Sequence, residues 1–198
     1  QSLFFEMQIG RNNAFIDHLA HMASKHFSGD EFEKDNLAKI YTRVEKGFIR
    51  VDADELTYPA HVILRYEIER DLMNGAIKHT DVPELWNEKM RAYLGLSTEG
   101  NFKNGCMQDI HWTDGSFGYF PSYTLGAMYA AQFMAAMKQT LDVDTVIRSG
   151  DLTPIFDWLS KNIWSKGSLL TTDDLVREAT GETLNAKHFQ AHLKGRYL

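Results

Sequence analysis

The chain has 198 residues, of which 43% are hydrophobic and 24% charged, enough to bury a sizeable globular core. Its formal charge of −6, with no cluster of Lys and Arg, argues against nucleic acid or an anionic membrane as partner. A single cysteine, Cys106, permits no internal disulfide and favours a reducing, cytoplasmic setting, and the apolar run Leu125 to Met137 is too short for a membrane helix, which needs about 20 residues.

Few prolines and long stretches of period near 3.6 predict an all-α fold, read as a single helical unit over residues 1–198. The first helix runs to about Gly10 and buries Leu3, Phe4 and Met7; the second, from about Asn13 to Lys25, buries Phe15, Leu19 and Met22. After a polar turn at residues 28–35, a helix from Phe32 to Val44 carries Leu37, Ile40, Tyr41 and Val44 at core spacing, with Gly47 ending it. Phe48 to Val51 alternates β-branched and charged residues and reads as a short extended segment. Asp54 or Thr57 caps the next helix, whose buried stripe is Ile63, Leu64, Ile68 and Leu72, until Asn74-Gly75 stops it. Pro83 opens a helix bearing Leu85, Trp86, Met90 and Tyr93, closed by Gly95. A small-residue helix follows from about Ser122 to Thr140, then one holding Ile155, Phe156, Leu159 and Ile163. Thr171 or Thr172 starts another, with Asp173 and Asp174 in its first turn, and Asn185 caps the last.

Between the helices ending at Gly95 and starting near Ser122 lies the densest stretch of chemistry. Gly105-Cys106-Met107-Gln108-Asp109-Ile110-His111-Trp112 leads into Gly115-Ser116-Phe117-Gly118-Tyr119-Phe120-Pro121-Ser122-Tyr123, polar groups, aromatics and glycines in the mixture that lines a pocket. Upstream, His61, Arg65 and Glu69 recur every four residues and share one helical face. By themselves they read as an exposed ion-pair ladder of little energetic value or as a buried stripe that needs partners. His18 and His21 lack a matching carboxylate for a metal, and Cys106 has no neighbouring cation to activate it.

The Gly-x-x-Gln-Asp-x-His-Trp pattern and its Phe-Gly-Tyr-Phe-Pro-x-Tyr continuation resemble the signature of the carboxypeptidase Taq family of zinc metallocarboxypeptidases. The block Arg50 to Tyr58 with His61 and Arg65 to Glu69, the run Ile147 to Asp151, and the Ala179 to Glu182 turn resemble further family segments in the same order. The resemblance implies the C-terminal helical part of a neurolysin-like zinc metallopeptidase fold. It also implies a cytoplasmic, commonly homodimeric enzyme that removes C-terminal residues from peptides with broad tolerance. The family's His-Glu-x-x-His zinc motif does not occur here, and Gln1-Ser2 resembles the end of its His-Glu-Ser-Gln-Ser segment, whose glutamate is the third zinc ligand. The expectation is therefore a C-terminal fragment that binds no stoichiometric zinc and is inactive alone, the zinc belonging to the full-length enzyme.

A carboxypeptidase recognises a free terminal carboxylate, for which an arginine's planar fork is best suited. The resemblance places Arg50 in that role, with Arg65 second and read also as a structural partner; from the residues alone Arg50 reads too as a surface group near a helix end. Tyr123 and His111 compete as donor to the oxygen that becomes an anion in peptide hydrolysis. Gln108, Asp109 and His61 orient these groups, although Asp109 reads equally as a helix cap or loop brace. Two other readings stay open, a non-catalytic binding or dimerisation module and a related helical endopeptidase.

Overall fold

The computed structural model describes all 198 residues, and it is helical with no strand. The chain divides into two compact units, one formed by residues 1–43 and 126–198, the other by residues 44–125. No helix is long and apolar enough to cross a membrane.

The first unit opens with a π-helical segment, Phe4–Gly10, followed by α1 (Asn13–Ala23) and α2 (Lys34–Tyr41). It continues with most of α5 (Pro121–Met137), then α6 (Val143–Ser149), α7 (Thr153–Asn162), α8 (Thr172–Thr180) and α9 (Ala186–Tyr197). Side-chain caps begin α1, α6, α8 and α9: Asn12, Asp142, Thr171 and Asn185 each accept a backbone N–H of the first turn. Phe4, Ile9, Ala14, Met134, Met137, Ile147, Ile155 and Leu159 form its main core, and Met7, Ala127, Ala131 and Phe189 a second cluster. Burying a single such side chain is worth roughly 1.5–3 kcal/mol.

Two early helices depart from the sequence pattern. α1 buries Ala14 and Ile16, while Met22 is exposed; α2 ends at Tyr41, and Ile40, Tyr41 and Val44 face solvent. An apolar periodicity marks a face suited to burial, but neighbouring elements decide whether anything covers it.

The second unit is built on α3 (Tyr58–Met73) and α4 (Val82–Leu94), which pack together through Leu64, Ile68, Trp86, Met90 and Leu94. Gly95 ends α4 with φ +71°, the left-handed geometry a Cβ disfavours. The buried positions of α3 are 61, 62, 64, 65, 68 and 69, one continuous helical face, which leaves Ile63 exposed on the other. Phe48 to Val51 forms no strand: Ile49 is extended, and Arg50–Asp52 turns as a 3-10 helix. No strand stands beside it, and the Gln108 side chain meets its polar groups instead. Gln108 Oε1 accepts the Arg50 N–H at 2.8 Å, and Nε2 donates to the Phe48 carbonyl at 3.0 Å.

Candidate active site

The sequence places Arg50 and α3 in fixed relation through a cap. Asp54 Oδ1 accepts the N–H groups of Leu56 and Thr57, both at 2.9 Å, and Oδ2 accepts the Glu45 N–H and the Thr57 hydroxyl. Of the two candidate caps, Asp54 makes the bonds. Gln108 also donates to the carbonyls of Asn104 and Gly105, so one amide ties residues 48–50 to the loop that carries Asp109 and His111.

Asp109 joins both arginines. Its Oδ1 accepts from Arg50 Nε at 3.0 Å and Nη2 at 2.7 Å, and its Oδ2 from Arg65 Nε at 2.5 Å. Arg65 is wholly buried, donates Nη1 to the His61 carbonyl at 2.8 Å and stacks its guanidinium 4.5 Å from the Trp86 ring centroid. Burial pulls Arg65 down to about 10 against the support of Asp109, so it stays charged at neutral pH. Burial also works against the Arg50 charge, but Asp109 and Tyr58 overcome it and hold Arg50 above its ordinary value. Asp109 itself is held below the carboxylate range: burial opposes its charge, and the two arginines prevail. Two cations on one anion leave a net positive site.

Arg50 is nearly buried, at 6% exposure, with its guanidinium 5.1 Å from the Tyr123 ring centroid. Nη1 donates to the Tyr58 hydroxyl at 2.7 Å. After these bonds one N–H remains on each of Nη1 and Nη2.

His111 and Tyr123, expected as competitors, form a pair: His111 Nε2 lies 3.0 Å from the Tyr123 hydroxyl. His111 Nδ1 is buried without a hydrogen-bond partner, 3.9 Å from Asp109 Oδ1. Burial raises the Tyr123 phenol above its usual value. Tyr119 and Phe120 lie tilted beside the imidazole, with centroids at 5.5 and 4.5 Å.

The polar stripe of α3 is buried and makes no ladder. Each member faces the glycine-rich loop or the core. Glu69 Oε2 accepts the Trp112 indole N–H at 2.7 Å, and Oε1 accepts the Gly118 N–H. Neither ring nitrogen of His61 has a partner, and burial together with the Arg65 charge pushes it down to about 4. Every expected site residue therefore falls within residues 44–125, with Gln108, Asp109 and the two arginines in one network.

Nothing in the sequence pattern assigns the contacts that Tyr58, Glu69 and Trp112 make here. Tyr58 stands eight residues after Arg50, and the sequence offered only that proximity as a signal. Trp112 and Glu69 are 43 residues apart, a separation no periodicity bridges.

No three His, Cys, Asp or Glu side chains converge to hold a metal ion. Asp109 is engaged by two guanidiniums, and His111 Nε2 by Tyr123.

The family model for carboxypeptidase Taq (M32) metallopeptidase matches residues 1–197. Carboxypeptidase 1 of Bacillus subtilis is 39% identical over 205 residues, covering 100% of this chain and 40% of that protein. Thermostable carboxypeptidase 1 of Thermus thermophilus is 37% identical, with 100% of this chain and 39% of that one covered. Among solved structures, Trypanosoma cruzi metallocarboxypeptidase 1 superposes with a TM-score of 0.97 at 55% identity, over 100% of this chain and 42% of its own. The chain thus spans about 40% of the length of the curated relatives it matches.

Proposed function

The chain belongs to the carboxypeptidase Taq (M32) family of metallopeptidases, and from that membership we propose that it serves in a zinc-dependent carboxypeptidase removing single residues from peptide C-termini with broad side-chain tolerance. The observation that carries the reading is Arg50, a charged guanidinium oriented by Asp109 with one N–H still unspent on each terminal nitrogen. That pair matches the two oxygens of a peptide's terminal carboxylate.

The zinc of this chemistry finds no ligand set among these residues, and no step below runs through it. Arg50 binds and orients the peptide end. The raised phenol of Tyr123 keeps its proton at neutral pH and donates it as a hydrogen bond to the carbonyl oxygen as negative charge develops there. His111 holds that hydroxyl in place, Gln108 and Asp109 hold Arg50, and Arg65, itself bonded to the His61 carbonyl, supports Asp109 from within. Both compact units are read as parts of one catalytic domain. A cytoplasmic location agrees with the single free thiol, and a homodimer is carried over from the family resemblance.

The test is Arg50→Ala in the zinc-loaded enzyme, assayed on a peptide with a free C-terminus and on its amide. The free peptide is expected to lose about 100-fold in kcat/KM, two charge-assisted hydrogen bonds, while the amide, already a poor substrate, hardly falls further. Equal losses for the two would remove Arg50 from the role.

A further inference from the structure

The Tyr58 hydroxyl touches Arg50 directly and its bonding is unfinished. It accepts from Arg50 Nη1 at 2.7 Å, so an oxygen lone pair is occupied and the hydroxyl proton points elsewhere. No acceptor of the chain takes that proton, although Tyr58 is half-buried and its ring stands edge-on to Tyr123, centroids 6.1 Å apart. The ring has little freedom to turn away. Tyr58 is the first residue of α3, its N–H bonded to the Asp54 carbonyl at 2.9 Å, with Pro59 next in the same turn. A hydroxyl that touches a cation and has a proton to give is a donor aimed at an anion.

We infer that Tyr58 is a substrate-binding residue whose hydroxyl donates to the peptide's terminal carboxylate, forming one clamp with Arg50. The inference rests on the reading of Arg50 proposed above. The clamp supplies an N–H from each terminal guanidinium nitrogen plus one O–H, three donors for the four lone pairs of a carboxylate. A neutral amide end replaces an acceptor oxygen with a donor NH₂ and meets these donors poorly. Tyr58 therefore adds discrimination between charged and blocked C-termini, a function beyond bracing Arg50.

The experiment uses the 198-residue chain and its Tyr58→Phe variant, which keeps the ring and its contact with Tyr123. Each is titrated with an N-acetylated dipeptide bearing a free carboxylate and with the corresponding amide, following affinity by calorimetry and the Tyr58 ring ζ-carbon by NMR. The expected result is that the unaltered chain prefers the carboxylate, that Tyr58→Phe weakens this ligand about tenfold and leaves the amide unchanged, and that only the carboxylate moves the Tyr58 resonance. A purely bracing role would leave that resonance still. No preference for the carboxylate in the unaltered chain overturns the clamp together with the reading beneath it. A preference undiminished in Tyr58→Phe, or a resonance unmoved by the carboxylate, overturns the part of Tyr58 and leaves that of Arg50.

Discussion

Arg65 Nε lies 2.5 Å from Asp109 Oδ2, and the arginine is entirely out of solvent. Asp109 is the only anion that reaches this buried cation, and it neutralises the flank of Arg50 as well. Asp109→Asn leaves two guanidiniums facing a neutral amide. The expected loss is about 3–5 kcal/mol of folding stability, read from urea unfolding. Asp109→Asn with unaltered stability would show that the network is not structural.

His61 makes stability fall in mildly acidic solution. Its value near 4 in the folded chain, against 6.5 ordinarily, means that the unfolded chain binds the extra proton between these two pH values. Stability present above pH 6.5 is lost as pH falls to about 4, by up to roughly 3 kcal/mol, and this group takes nothing further below that. Asp109, held below the carboxylate range, contributes its own loss only at still lower pH. His61→Leu is expected to flatten the stability profile between pH 6.5 and 4; a slope identical to that of the unaltered chain would assign it to other groups.

Glu69 latches the glycine-rich loop onto α3 by accepting from the Trp112 indole and the Gly118 backbone. Glu69→Ala removes the acceptor of both donors; the half-buried indole N–H bears most of the cost, about 1 kcal/mol, since water can reach the exposed Gly118. Faster amide exchange at Gly118 and a shifted Trp112 fluorescence maximum are expected, with Glu69→Gln intermediate because it keeps an acceptor oxygen. Unchanged exchange at Gly118 would mean that the loop is held by other contacts.

Metal analysis tests the site's composition directly. The 198-residue chain prepared with zinc and then dialysed is expected to retain far less than one zinc per chain, because no three His, Cys, Asp or Glu side chains converge in it. One tightly held zinc per chain would require a ligand set that forms by rearrangement.

Local chemistry was legible in the sequence. Periodicity, with Gly75, Gly95 and the caps Thr171 and Asn185, located most helices, because these signals act within a turn or two of the residues that carry them. Clustering of Gln108, Asp109 and His111 with the Arg50 block marked the site. Burial was less legible: Met22, Ile40 and Ile63 carry helical spacing yet face solvent. Gln132, fully buried in α5, shows the same limit, since its amide donates to Thr180 and Thr183 and accepts from the Asn185 N–H, bonds that span 48 to 53 residues.

What the sequence determined by itself was the helical class, the position of most helices and the residue types at the site. Only the tertiary structure decided that Asp109 joins two arginines, that His111 pairs with Tyr123, and that the Tyr58 hydroxyl meets Arg50. Hydrogen bonds and ion pairs act over about 3 Å, and the side chains they join here are brought within that reach by the packing of α3 against α4 and by the loop that Gln108 and Glu69 tie down.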